Sequence, residues 1–320
     1  MTVRLQTPKG DIQFPCFIPV TTFGSRFPLD GLVRPYISRL APALMVSYFY
    51  AQDMSPQKHP VFIDSGGFAS LFKGSEIFHL PNGTHGIRTR EGTTITPESV
   101  LRFQEKYADI AATLDFIISP EVTLEEGRKM QKWIVENAIW AIGNLKRNKL
   151  KLYASVHAWD RESMCDILEK LLGLPFDGFA LGGMVPRIKT PKIIFELVKA
   201  YRELESVRPL HLFGVGSPRI VKALFGYGVS SVDSSNYVRN AASKRYLLPE
   251  KGEYVNIDGT LDLAKMCQCR ICRQFSGDYL SMEGELNNMA LSLHNLSATI
   301  RYLKTGKNDG TREPNLYSAK

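Results

Sequence analysis

Gly178-Phe-Ala-Leu-Gly-Gly-Met184, the segment Pro191–Leu204 and Leu210-His-Leu-Phe-Gly-Val-Gly216 follow one another in the second half of the chain. Each of the two apolar runs is too short for a buried helix, and each breaks at glycine, where a strand hands over to a loop. Between them, apolar residues recur at helical spacing. Parallel strands require a crossover connection, usually a helix, so strand, helix, strand is the unit from which a parallel sheet is built.

The same rhythm extends outward. Apolar runs at Phe17–Val20, Leu44–Phe49, Val61–Gly67, Ile110–Phe116 and Leu152–Ala158 precede this unit, Ser230–Asn236 follows it, and Thr123–Leu145 is patterned as a helix. Eight strands alternating with helices predict an α/β fold, a (β/α)8 TIM barrel. The first half is less regular than the second, and pattern alone also admits a doubly wound sheet. In a barrel, chemistry belongs at the C-terminal ends of the strands. Those ends carry Asp64-Ser-Gly-Gly-Phe68, Asp115, His157, Gly182-Gly183, Gly214-Val-Gly216 and Asp233. One Asp after one strand is commonly a helix cap, and one glycine pair is commonly a turn. Recurrence at equivalent strand ends favours a shared site.

From Gly252 the rhythm changes. Cys267, Cys269 and Cys272 spell C-x-C-x-x-C, and His294 follows after residues 273–293. Thiolate sulfur and imidazole nitrogen are the ligands tetrahedral Zn²⁺ prefers, and four of them leave no open position, so the expected zinc is structural. Leu291, Leu293, His294, Leu296, Ile300 and Leu303, within a pattern running from Leu280 to Leu303, read as one apolar helix stripe with His294 beside it. The expected organisation is a barrel over residues 1–250, a zinc-binding subdomain packed on it over 251–304, and a polar, frayed tail over 305–320. Cys16 and Cys165 stand alone, which fits a reducing compartment with metal in place of disulfides.

The chain has 320 residues, 44% of them hydrophobic and 22% charged, with a formal net charge of +8. That is ordinary globular composition with a bias towards a polyanionic partner. No apolar run is long enough to span a bilayer, and no charged-then-apolar leader opens the chain, so a cytoplasmic protein with no membrane partner is expected.

At this point the residues resemble the tRNA-guanine transglycosylase superfamily. Thr7-Pro-Lys-Gly-Asp-Ile-Gln-Phe-Pro-Cys-Phe-Ile-Pro-Val20 looks like its opening hairpin and strand, and Asp64-Ser-Gly-Gly-Phe68 like its Asp-Ser-Gly-Gly-aromatic motif. Thr96-Pro-Glu98, Phe103-Gln104, Phe213-Gly-Val-Gly-Ser-Pro218, Gly228-Val-Ser-Ser-Val-Asp233, Arg239-Asn-Ala241 and Leu293-His-Asn-Leu296 continue the match. The resemblance implies a (β/α)8 barrel with a zinc subdomain that exchanges guanine in a polynucleotide for a free 7-deazaguanine. It implies Asp233 as the nucleophile on the ribose anomeric carbon and Asp64 as the general acid/base, two carboxylates held at different pKa values. It implies Asp115 on the Watson–Crick edge of the purine, Phe68 and Phe213 on its two faces, Gly182 and Gly183 close to it, and His157 at its carbonyl edge.

Several positions depart from the tRNA enzymes. Phe116-Ile-Ile118 replaces Glu-Cys, His157 replaces Gln, and Ser234-Ser-Asn-Tyr-Val238 replaces Cys-Val-x-Pro-Thr. The zinc spacer is shorter, and no RNA-binding domain is expected after the zinc helix. These departures look more like the DpdA-type DNA-guanine transglycosylases, which insert 7-cyano-7-deazaguanine (preQ0). The expected partner is therefore DNA, with tRNA the alternative, and the resemblance leaves room for accessory modification proteins and for a homodimer. A DNA substrate implies base flipping. Arg26, Arg88, Arg90, Lys189, Arg239, Lys244 and Arg245 are the candidates for phosphate contacts.

Overall fold

A computed structural model describes residues 4–24, 26–146, 149–257, 267–274 and 284–304. Eight strands form one sheet: Cys16–Pro19, Leu44–Ser47, Val61–Asp64, Ile110–Ala112, Lys151–Val156, Gly178–Leu181, Leu210–Leu212 and Ser231–Ser234, here the first to eighth barrel strands. Every laddered neighbour pair in it is parallel. The first strand lies beside the eighth, with Cys16 opposite Ser231 and Pro19 opposite Ser234. The remaining seam, between the first and second strands, is bridged by Val20 and Met45, where Thr21 N donates to Met45 O at 2.8 Å. The sheet thus closes on itself, and the doubly wound alternative is set aside.

Side chains alternate across the wall, as strand geometry requires. Ile18, Met45, Phe62, Ala112, Tyr153 and Ala180 share one core cluster, joined by Ile12 and Phe14 from the N-terminal hairpin Arg4–Thr7/Gly10–Gln13. The intervening residues, among them Phe17, Val46, Ile63, Ala111, Phe179 and Val232, belong to a second, larger cluster shared with the surrounding helices. A strand buried on both faces reads as a continuous apolar run, which explains why the eight runs were visible in the sequence.

The helix expected at Pro191–Leu204 occupies those residues, and the one expected at Thr123–Leu145 is Leu124–Asn144 with Thr123 as its N-cap. Thr123 accepts from Glu126 N while Glu126 accepts from Thr123 N, the reciprocal pairing of a capping box. The irregularity of the first half has a structural cause. Among the described residues the second strand is followed by a 3₁₀ turn, Tyr48–Tyr50, in place of an α-helix. The third is followed by a 3₁₀ turn, Gly67–Leu71, and by a three-stranded antiparallel sheet before the helix Pro97–Tyr107.

After the eighth strand come the helix Asn236–Ala242, the hairpin Arg245–Leu248/Glu253–Asn256 and the helices Arg270–Gln274 and Glu285–Lys304. The last helix corrects the single-stripe expectation. It buries Asn287, Ala290, Ser292, Asn295 and Thr299 as well as Leu291, Leu293 and Leu296. The reason is that it lies between two bodies: Leu293 and Leu296 join the outer core of the barrel, while Ala290 and Leu291 pack with Tyr246, Cys267 and Cys272. Leu280 and the tail 305–320 fall outside the described residues. Among the described residues, no helix is long and apolar enough to cross a membrane.

Candidate active site and metal centre

Asp64 ends the third strand, and its Oδ1 accepts from Gly66 N at 2.8 Å and Tyr48 N at 3.2 Å. Gly66 holds a left-handed backbone (φ +74°), the conformation glycine supplies without strain, and this turns its amide back onto the carboxylate. Burial pushes the Asp64 carboxyl up from 3.8 to about 7. Hydrogen bonds from Gly66 and Ser47 oppose that rise, and the charges of Asp233 and Asp115 add to it. The structure therefore brings the carboxylates of the third, fourth and eighth strand ends into one electrostatic environment.

Asp233, on the eighth strand, is 7% exposed. Its Oδ1 accepts from Gly214 N at 3.0 Å and faces His211 Nε2 at 3.1 Å. Asp115 is buried with both oxygens engaged: Ser65 Oγ donates to Oδ1, and His157 Nε2 lies 2.6 Å from Oδ2. The two predicted glycines make room for this pair. A Cβ on Gly182 would lie 2.2 Å from His157 Nε2 and 3.0 Å from Asp115 Oδ2, and one on Gly183 would lie 3.2 Å from His157 Nδ1. His157 Nδ1 is buried without a partner among the described residues.

Phe68, on the turn after the third strand, is 48% exposed, and Phe213, after the seventh, is half-buried edge-on to His211. Four further residues escaped the sequence reading. His211 binds Asp233, and Ser65 binds Asp115. Gln131 donates to His157 O at 2.8 Å, and Arg187 donates to Gly183 O at 2.7 Å and Ile118 O at 2.9 Å. The signal for His211 was present: it is a polar residue at an inward position of an otherwise apolar strand.

The four predicted metal ligands do come together. The ligand atoms of Cys267, Cys269, Cys272 and His294 all lie within 4.8 Å of one another. His294 Nε2 lies 3.0 Å from Leu247 O, so that nitrogen carries the proton and Nδ1 is left to bind, 3.2 Å from Cys272 Sγ and 3.6 Å from Cys269 Sγ. Tyr246 stacks on the imidazole at 3.9 Å. Hydrogen bonds from Cys269 and then Cys272 hold the Cys267 thiol well below the ordinary thiol range, as a thiolate ligand requires. The donor set fits a tetrahedral ion with bonds of about 2.0–2.3 Å. Cys16, by contrast, is pushed up to about 12 by burial and is inert.

All seven phosphate candidates are exposed. Three are already engaged: Arg88 Nη1 pairs with Glu76 at 2.8 Å, Lys244 Nζ donates to Asn288 at 2.8 Å, and Arg245 Nη2 donates to Tyr254 O at 3.3 Å. Arg26 lies 5.6 Å over the ring of Tyr50.

Comparison with known proteins places these residues in a family context. The family model described as Queuine tRNA-ribosyltransferase matches residues 36–309, a span that contains every predicted site residue. A tRNA-guanine(15) transglycosylase of Methanococcus aeolicus is 25% identical over 286 residues, covering 86% of this chain and 43% of that protein. Enzymes of the same name from Methanosarcina acetivorans and Thermococcus onnurineus are 24% and 26% identical, covering 96% and 92% of this chain and 62% and 50% of those proteins. The chain spans about half the length of the curated relatives it matches. By the span of the family match and the motifs within it, the chain belongs to the queuine tRNA-ribosyltransferase family.

Proposed function

We propose that this chain is a guanine transglycosylase, exchanging a guanine base in a polynucleotide for a free 7-deazaguanine through a covalent intermediate on Asp233. The observation that carries the reading is the convergence of Asp64, Asp115 and Asp233 at the C-terminal ends of three barrel strands, with Asp64 titrating near neutrality. Asp233 attacks the anomeric carbon. The glycosidic C–N bond breaks, its electron pair leaves with guanine, and protonated Asp64 supplies the proton. The incoming base gives its proton to the Asp64 carboxylate and displaces Asp233. A group titrating near 7 serves both halves of this exchange. Asp115 already accepts from Ser65 and His157, so a purine edge binds by exchanging with one of these donors. Phe68 and Phe213 supply stacking faces, and Gly182 and Gly183 allow close approach.

tRNA is the polynucleotide the relatives support, since those compared are named tRNA-guanine(15) transglycosylases. DNA is the second reading. It is supported by His157, where the tRNA enzymes carry Gln, held 2.6 Å from Asp115. The deciding experiment is mass spectrometry of nucleosides from tRNA and from DNA after incubation with the enzyme and preQ0. Incorporation into tRNA alone supports the first reading and into DNA alone the second. Incorporation into neither rejects transglycosylation.

We assign Zn²⁺ to Cys267, Cys269, Cys272 and His294 as a structural ion, within a subdomain of residues 251–304 beside a catalytic barrel of residues 1–250. Bound there, the ion ties the last helix to the cysteine loop and takes no part in the exchange.

Asp64→Asn should slow exchange by ~10²-fold or more, the scale for losing a positioned proton carrier. The same substitution has a stability signature of defined sign. Between about pH 4 and pH 7 the unfolded chain has lost this proton while the folded chain retains it, so wild-type stability falls as pH rises through that window. Thermal melting should therefore favour the variant over wild type more at pH 8 than at pH 4. A constant difference across the range would mean that Asp64 titrates normally.

A further inference from the structure

His211 is fully buried inside the barrel, with its ring 4.7 Å from that of Phe62 and 4.8 Å from that of Phe213. Its two nitrogens face two oxygens of the eighth strand: Nε2 lies 3.1 Å from Asp233 Oδ1 and Nδ1 lies 2.9 Å from Ser231 Oγ. A carboxylate oxygen accepts, so Nε2 carries the hydrogen donated to Asp233, and Nδ1 is left to accept from the Ser231 hydroxyl. Asp233 Oδ1 thereby receives two donors, His211 Nε2–H and Gly214 N–H. Oδ2 makes no hydrogen bond among the described residues.

We propose that His211 is a positioning residue for Asp233, fixing Oδ1 so that Oδ2 alone is presented to the anomeric carbon. The proposal rests on the reading of Asp233 as the nucleophile. Oδ2 contributes the electron pair of the new C–O bond as the C–N pair leaves with guanine, and Oδ1 becomes the ester carbonyl. In the second half of the exchange the C–O pair returns to the carboxylate. The returning pair lands on Oδ2 and its charge is shared by resonance with Oδ1, which already faces two fixed donors, the arrangement that stabilises a developing oxyanion. Ser231 adds a reason for histidine here, because its hydroxyl leaves Nε2 as the only ring nitrogen able to donate to Asp233. Phe62 and Phe213 keep water from that bond.

The test compares three variants with wild type and with Asp233→Asn. His211→Phe keeps an aromatic body and removes the donor. In His211→Gln the amide nitrogen falls near the position of Nε2, whereas in His211→Asn it falls near Nδ1, out of reach of Asp233. The readouts are kcat and KM for labelled-base exchange, and the covalent enzyme–polynucleotide adduct on a denaturing gel without acceptor base. His211→Phe and His211→Asn should lose ~10²–10³ in kcat, the scale of one oxyanion donor. KM should change little, and His211→Gln should recover most of the loss. Equal losses in all three would make His211 a packing residue and overturn the proposal, as would full activity in all three. If His211→Phe fails to fold, the contrast between Gln and Asn still decides. Retained exchange by Asp233→Asn would instead overturn the nucleophile reading.

Discussion

Asp233→Asn is expected to abolish base exchange, by ~10⁴-fold or more, on the scale of removing a covalent nucleophile. The amide has the shape of the carboxylate. Its oxygen can occupy the Oδ1 position, accepting from Gly214 N and His211 Nε2 as the native oxygen does. The NH₂ group then stands where Oδ2 stood; its electron pair is delocalised into the carbonyl, and it cannot form the ester. Fold and polynucleotide binding should persist, because Asp233 faces the mouth and its neighbours remain hydrogen-bonded. Labelled-guanine exchange, adduct on a denaturing gel and thermal melting together check this. Exchange within tenfold of wild type would remove Asp233 from the nucleophile's place.

Loss of the metal should be the largest stability effect. Cys272 is 1% exposed and belongs to the four-ligand cluster. Structural zinc contributes ~10–16 kcal/mol of apparent binding free energy in small domains, and that binding is coupled to folding. Cys272→Ser, or a strong chelator, should therefore lower the melting temperature by ~10 °C or more, several kcal/mol in a chain of this size. The loss should reach the barrel. Asn295, next to His294, donates to Tyr237 O at 3.3 Å and Arg245 O at 3.0 Å, and Tyr237 Oη donates to Val20 O at 2.8 Å. Elemental analysis should find one zinc per wild-type chain and none in the variant. Freshly purified wild-type protein with no metal and an unchanged melt would refute the assignment.

The strands were legible because a parallel barrel buries both of their faces, so burial wrote itself as eight apolar runs. The metal ligands were legible because cysteine and histidine at that spacing have few other uses. Two kinds of feature were hidden. The outer ring is irregular where the turn at Tyr48–Tyr50 stands in for a helix, and no local pattern announces a missing element. The partners of the carboxylates were harder to read because they come from neighbouring strands: His211 meets Asp233 and Ser65 meets Asp115 only once those strands pair. The helix Glu285–Lys304 was legible as a helix but not in its burial, since periodicity cannot show that a second body covers its other side.

Barrel closure also sets a clock on synthesis. The first strand, Cys16–Pro19, is complete early, yet its ladder partner is the eighth strand, Ser231–Ser234. At ~5–20 residues per second a ribosome needs on the order of 10–40 s to make the intervening chain. In the folded barrel the first strand has one bridge to the second, so until the eighth strand is made its other edge has no ladder partner. An unpaired apolar edge invites another chain. The nascent protein therefore carries its greatest aggregation risk before residue 234 emerges, and chains truncated short of that point keep the edge permanently exposed.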